Sequence, residues 1–209
     1  MKPLVINHIS LFPTVIGSVT NIELANEALP AVQRVLREND NVNTEWKLYR
    51  STYGKNINIT LPILKDLNKF VINSFEQYTK FLGVNNFTVD GLTFFYSSIT
   101  EKEFHPIHNH SDCSFSGVYY LKVSQNSSKI RFWHPKYESY DFSKHNIDVT
   151  SQKLWNYYEI SPSSGQLLMW PSWVNHEVIA STTSEERITA VFNILNHNGP
   201  TTKLNLNDI

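Results

Sequence analysis

The stretch HPIHNHSDCSFSGVYYL, residues 105–121, places His105, His108, His110 and Asp112 within eight positions and then passes into a run of Val, Tyr and Leu that reads as a β-strand. On an extended segment alternate side chains share a face, so His108, His110 and Asp112 can point the same way. Two imidazoles two residues apart can chelate one ion from a strand. A third ligand must come from elsewhere in the chain. His176, in MWPSWVNHEVIA, is the natural candidate, because it opens another strand directly after a Trp-Pro-Ser-Trp turn.

Three protein ligands with further positions left open is the arrangement expected of a non-haem Fe(II) centre. Which residues of the first strand belong to it stays open at this point. The usual facial triad contains a carboxylate, which argues for His110, Asp112 and His176. Residues Ser111 to Ser114, however, have turn composition, and the chain must reverse before FSGVYYLKV can pair. That favours His108 and His110 on the strand, with Asp112 at the turn. The remaining histidines, His8, His105, His134, His145 and His197, read as ordinary surface or core residues.

Outward from this segment, the chain from Gly91 onward alternates polar turns with short stretches rich in Val, Ile, Tyr, Phe and Trp, the pattern of a sandwich or barrel. Strands are expected near 92–98, 106–110, 116–123, 129–134, 153–160, 166–170, 174–180 and 186–194. Eight short, mostly antiparallel strands suggest a jelly roll. Before them, LPILKDLNKFVINSFEQYTKFL carries apolar side chains at 64, 67, 71, 75, 78 and 82, a helical spacing. Thr60 is placed to cap this helix, Pro62 suits its first turn and Gly83 stops it. A second helix is expected from Ile22 to Glu38, bent or divided by Pro30. The whole of 1–209 reads as one domain, with 1–90 a helical support and 91–196 the β core. Residues 135–152 form the one long loop and read as a lid or an unstructured connection.

Charge and composition narrow the function. Lys and Arg total 18 against 19 Asp and Glu, a balance that gives no electrostatic case for nucleic acid or an anionic membrane. Hydrophobic content of 41% with a mean hydropathy of -0.31 is that of a soluble globular chain, with no apolar run long enough to span a bilayer. The start MKPLVINHISLFPT lacks the features of a signal peptide. A single cysteine, Cys113, excludes an internal disulfide framework and fits a reducing cytoplasm.

Eleven residues after His176 comes RITAVFNI, beginning at Arg187. On a strand, Arg187 and Thr189 share a face, and no carboxylate alternates with them. A buried Arg needs a partner, and a ligand carboxylate would supply one: the planar fork takes two parallel hydrogen bonds while Thr189 adds a third. The plainer alternative is an exposed Arg paired with Glu185 or Glu186, which would contribute little.

The motifs HNHSDCSFSGVYYL, IRFWHP, GQLLMWPSWVNHEV and ERITAVFNI, in this order, resemble the 2-oxoglutarate and Fe(II)-dependent oxygenase superfamily. More narrowly they are similar to a small bacterial and viral branch with a His-x-His, a Ser-Gly-Val-Tyr-Tyr strand and a Pro-Ser-Trp turn before the distal His. The resemblance implies a double-stranded β-helix, His176 as distal metal ligand, and Arg187 as anchor for the distal carboxylate of 2-oxoglutarate, with Thr189 where the superfamily often has Ser. The His-x-Asp of better-known members is met only by His110 and Asp112; the branch points to His108 and His110. Tyr119 or Tyr120, whichever alternates inward, would join Arg187 on the co-substrate carboxylate. The implied reaction consumes dioxygen and 2-oxoglutarate, hydroxylates a C–H bond of a peptidyl or small-molecule substrate, and releases succinate and carbon dioxide. The implied location is the cytoplasm of a bacterium or of an infected host.

Two other readings compete on the same residues. One is a cupin-like metal-binding enzyme with three histidines and no 2-oxoglutarate, for which Arg187 is dispensable. The other is a non-catalytic barrel that binds a partner and to which metal loss makes no difference.

Overall fold

Alternation along the last described strand fixes how the layers stack. In the computed structural model, which describes residues 13–39, 49–54, 61–84, 87, 89, 91–135 and 156–195, that strand is Arg187–Leu195. Ile188, Ala190, Phe192 and Ile194 point one way into a core shared with the helices. Thr189 and Val191 point the other way, into a cavity between two sheets.

The described elements run β1 (Gly17–Thr20), α1 (Ile22–Glu38), β2 (Arg50–Ser51), α2 (Pro62–Phe81), β3 (Leu92–Ile99), β4 (His105–His108), β5 (Cys113–Lys122), β6 (Ile130–Trp133), β7 (Tyr157–Ile160), β8 (Gln166–Pro171), β9 (His176–Val178) and β10 (Arg187–Leu195). Six strands form a major sheet in the order β1-β8-β5-β10-β3-β2, and four form a minor sheet in the order β4-β9-β6-β7. Pairing between these strands is antiparallel throughout. The two sheets face each other as a jelly roll. Val118, Tyr120, Leu168 and Trp170 from the major sheet meet Ile130 and Phe132 from the minor one in the inner core.

All eight expected strands are present, and two more, β1 and β2, extend the major sheet at its edges. Both are short and polar, too brief for a period of two to register.

The helices cover the outer face of the major sheet. On α2 the side chains of Leu64, Leu67, Val71, Phe75 and Tyr78 are buried, the expected stripe. Gly83 ends the helix at φ +83°, with Gly83 N–H donating to the Lys80 carbonyl and Val84 N–H to that of Thr79, the paired bonds of a Schellman cap. The N-cap is Leu61 without a side-chain bond, and the expected cap Thr60 lies outside the described residues. On α1, Asn21 Oδ1 accepts from Leu24 N–H at 3.1 Å. Pro30 neither ends nor divides α1. Pro30 and Asn26 both lie on the exposed face, so the Asn26 carbonyl left without a donor there is turned toward water.

Gly117 lets α2 approach the sheet closely. A Cβ at this position would stand 2.8 Å from both the Leu168 carbonyl oxygen and Phe75 Cζ.

Of the long loop expected to be a lid or an unstructured connection, residues 136–152 lie outside the described residues. Tyr137 and Tyr140, within that loop, and Trp155 after it also lie outside the described residues. Trp133 and Tyr157 lie with Arg131 on the outer face of the minor sheet, the guanidinium 4.2 Å from the Tyr157 ring centre and 5.6 Å from that of Trp133. Arg131 is further tied to Glu159 at 2.6 Å and Glu177 at 2.9 Å.

Candidate active site

Three short segments deliver three imidazoles to one point. β4 and β9 are antiparallel neighbours at one end of the minor sheet, and His108 and His176 are direct partners across them. Past the end of β4, His110 N–H donates to the Ser172 carbonyl at 3.0 Å, which ties this segment to the turn before β9. The candidate ligand nitrogens of His108, His110 and His176 all lie within 4.8 Å of one another.

Asp112 is not in this group. Cys113 N–H donates to the His110 carbonyl at 3.0 Å, closing a four-residue turn on whose exposed corner Asp112 stands. His110 is thus the last residue before the reversal rather than part of the regular strand.

The chemistry of this donor set fits Fe(II). Imidazole nitrogen suits divalent iron, and a ligand must be neutral. Burial pushes His110 down to about 4, with His108 adding to the effect, and holds His176 well below its ordinary value. Burial also lowers His108, against the opposing bond to Pro106. His108 Nδ1 lies 2.8 Å from the Pro106 carbonyl and His176 Nδ1 lies 2.9 Å from that of Val174. A carbonyl only accepts, so each Nδ1 carries the proton and each Nε2 presents its lone pair. The His176 ring is braced by the buried Trp170, edge-on at 4.9 Å between centres. Trp173, the other tryptophan of the turn, is 54% exposed and does not share that packing role.

The same cavity contains Arg187, Thr189, Ser97 and Val191. Counting its open mouth, it holds about 490 Å³ of empty space. Arg187 is 2% exposed. One terminal nitrogen donates to Ser128 Oγ at 3.3 Å, and Nε has no partner. Among the described residues no carboxylate pairs with it. Glu186 accepts instead from Ser98 Oγ at 2.6 Å, and Glu185 is exposed. Thr189 Oγ1 lies 2.7 Å from Ser97 Oγ.

Tyr119 and Tyr120 separate cleanly. The Tyr119 ring lies in the helix-facing core, and its hydroxyl donates to the Asn21 carbonyl at 2.5 Å, which removes it from the cavity and corrects its candidacy. The Tyr120 ring lies under Arg187, 4.9 Å from the guanidinium carbon, with its buried hydroxyl unpartnered. Burial raises the Tyr120 hydroxyl, with the charge of Arg187 opposing, so it is a neutral donor. An unpaired buried cation with an orphan hydroxyl beside it suits a dicarboxylate such as 2-oxoglutarate.

Three residues of the site escaped the sequence reading. Ser128 follows a polar turn, Tyr49 directly precedes the two-residue β2, and His105 reads as an ordinary residue. Tyr49 and His105 both line the cavity. The one available signal was for His105, three residues before His108 on a stretch that pairs with β9.

The jelly roll and the three histidines gathered in its cavity make an arrangement that could hold a metal ion. A family model described as "Putative 2OG-Fe(II) oxygenase" matches residues 94–193, the part of the chain that carries the three histidines and Arg187. The protein is an oxygenase using Fe(II) and 2-oxoglutarate. The fold is that of a prolyl-4-hydroxylase from Pseudomonas putida, at 12% identity and a TM-score of 0.61 over 88% of this chain and 93% of the other. It is also that of a Trichoplax adhaerens prolyl hydroxylase solved with a hypoxia inducible factor peptide fragment, at 12% identity and a TM-score of 0.57 over 86% and 83%. HygX from Streptomyces hygroscopicus, solved with nickel and 2-oxoglutarate, aligns at 10% identity and a TM-score of 0.53 over 86% and 82%. At these identities the likeness shows the double-stranded β-helix. No curated protein matches in sequence.

Proposed function

We propose that His108, His110 and His176 hold the iron, that Arg187 anchors the distal carboxylate of 2-oxoglutarate with Thr189 and Tyr120 beside it, and that the enzyme hydroxylates a C–H bond in an uncharged part of a peptidyl or small-molecule substrate. The observation that carries this reading is the burial of Arg187, without an anionic partner among the described residues, on the cavity that the three histidines share.

Bound Fe(II) would supply the redox chemistry in which dioxygen and 2-oxoglutarate are consumed, succinate and carbon dioxide are released, and one oxygen atom enters the substrate C–H bond. The chain's own part is positional. His108 and His176 direct their Nε2 lone pairs through the bonds at Nδ1. Arg187 orients the co-substrate by its far end, and the walls formed by Val118, Ile130, Val178 and Val191 limit access of water.

The row of residues across the minor sheet supports the uncharged character of the substrate. His108, His176, Phe132 and Tyr158 occupy successive registered positions on its inner face, so an aromatic floor leads away from the histidines. The charges of Arg131, Glu159 and Glu177 pair with one another on the outer face. The peptidyl arm of the proposal draws on the T. adhaerens enzyme and the small-molecule arm on HygX, as likenesses of fold. Cys113, the single cysteine, supports a reducing cytoplasm, and no helix among the described residues is long and apolar enough to cross a membrane.

The test is anaerobic titration of Fe(II)-loaded protein with 2-oxoglutarate, following the visible charge-transfer absorption of the chelate, with Arg187→Ala alongside. The expected result is a band in the wild type and a much higher 2-oxoglutarate requirement in the variant. An iron-loaded protein that gives no band at millimolar co-substrate overturns the assignment and favours a three-histidine centre of another kind.

A further inference from the structure

A fourth histidine stands against the cluster without belonging to it. The His105 ring stacks on that of His108 with centres 3.9 Å apart and planes 25° apart. On its other side lies Tyr49, with ring centres 4.8 Å apart and the hydroxyl 3.4 Å from His105 Nε2. The series continues to His110, whose ring meets His108 edge-on at 5.0 Å and 88°. Four rings therefore run in contact from Tyr49 to His110, and the last two belong to the histidine cluster.

The two imidazoles on β4 and β9 are braced differently. His176 has the Val174 carbonyl at Nδ1, Trp170 edge-on at 4.9 Å and Phe132 at 6.2 Å. His108 has the Pro106 carbonyl at Nδ1, which fixes one point of the ring. A plane needs more than one point, and the face of His105 supplies the rest. His105 is in turn backed by Tyr49, which arrives on the segment leading into β2. That segment is bolted to β3 by the pairs Arg50↔Ser98 and Ser51↔Ser97, by Thr52 N–H to the Tyr96 carbonyl, and by Tyr96 N–H to Thr52 Oγ1.

We propose that Tyr49 and His105 form a brace that fixes the ring plane of His108, making them positioning residues for the metal centre rather than ligands to it. The inference rests on the proposed three-histidine centre and adds a role for a part of the chain, Tyr49, that lies outside residues 94–193. It explains why a two-residue strand of polar composition is retained at the edge of the major sheet: β2 carries the back wall of the site. What the brace needs from His105 is a flat ring, so phenylalanine should replace it and alanine should not.

The experiment is a titration of metal-free protein with Co(II), read by visible d–d absorption and by competition with a chromophoric chelator. It covers the wild type, His105→Phe, His105→Ala and Tyr49→Ala, with circular dichroism of each metal-free form as a folding control. The expected result is affinity within about threefold of wild type for His105→Phe, and a loss of about 10-fold or more for His105→Ala, the range for removing a group that orients a ligand. If His105→Ala does not fold, Tyr49→Ala carries the comparison, since it leaves His105 in place and removes only its backing; it too should bind Co(II) more weakly. Unchanged affinity in the folded alanine variants overturns the brace and leaves the three-histidine centre standing. An equal loss in His105→Phe and His105→Ala overturns it as well, because a ring nitrogen rather than a ring face would then be at work. Failure of the wild type to bind Co(II) overturns the centre itself, and the brace with it.

Discussion

His108 and His176 are paired residues of adjacent antiparallel strands, with ring centres 4.2 Å apart on the cavity side of the minor sheet. Their juxtaposition is a property of backbone register. A one-residue slip of β4 against β9 would turn one of the two imidazoles away. The centre is therefore as secure as that register, and the consequences can be measured.

Removal of His108 or His176 should abolish stoichiometric metal binding, a loss exceeding the roughly 10- to 100-fold that follows removal of a supporting contact. Asp112→Ala should bind as the wild type does, because Asp112 stands at the exposed corner of the turn. Metal content after dialysis against Fe(II) under anaerobic conditions decides this. Loss confined to the Asp112 variant would reverse the ligand assignment.

The metal-free protein should lose stability as the pH falls from about 6.5 toward 4. His110 is lowered from 6.5 to about 4 and His105 from 6.5 to about 3, in each case first by burial. In that window the unfolded chain binds protons that the folded one does not, so stability rises with pH across it and is lost on acidification. Thermal melting of the metal-free protein across this range should show the slope, and His110→Asn should flatten it. A wild-type profile level from pH 7 to 4 would show that the imidazoles are not held neutral.

Arg187 should oppose stability and favour function. Replacing it with Met removes a buried, unpaired cation, so the co-substrate-free protein should melt at an equal or higher temperature. The same variant should bind 2-oxoglutarate at least about 2 kcal/mol more weakly, roughly 30-fold, since a buried charge pair is lost. Differential scanning calorimetry and calorimetric titration test the two halves separately. A clear fall in melting temperature would mean that the contacts of Arg187 with Ser128 and Tyr120 outweigh the cost of burying its charge.

Gly117→Ala should destabilise by about 1–3 kcal/mol, the usual cost of overpacking. The added methyl would meet the Leu168 carbonyl oxygen and the Phe75 ring at 2.8 Å, and neither the strand nor the helix can withdraw cheaply. Chemical denaturation of the metal-free protein measures it. A change below about 0.5 kcal/mol would show that α2 shifts freely over the sheet.

Much of this arrangement is legible in the sequence where a local rule speaks for itself. The stripe from Leu64 to Tyr78, the glycine at 83, and the alternation of Arg187 and Thr189 against Ile188 and Ala190 each follow from a period or a backbone preference, and each matches the structure. The spacing also brings forward His108, His110 and His176, the three that the fold gathers. It could not assign the inward tyrosine. Tyr119 and Tyr120 are adjacent and equally buried, and only the pairing of β5 with its neighbours shows which one meets Arg187. Nor could it find Tyr49 or Ser128. Neither belongs to a periodic segment, and their places depend on tertiary contacts between parts of the chain far apart in sequence.

β4 stands at the edge of the minor sheet, joined to β9 by the pairs His105↔Val178 and His108↔His176 with an irregularity between them. Such a strand opens by local fraying, at lower free energy than global unfolding. Amide hydrogens of β4 should therefore exchange with solvent faster than those of β5 or β10. Metal ligated from both β4 and β9 would close that motion, because binding to the closed form alone shifts the opening equilibrium by mass action. The lifetime of the metal in the site would then be governed by the breathing of one edge strand, and hydrogen exchange at β4 would serve as a clock for metal release.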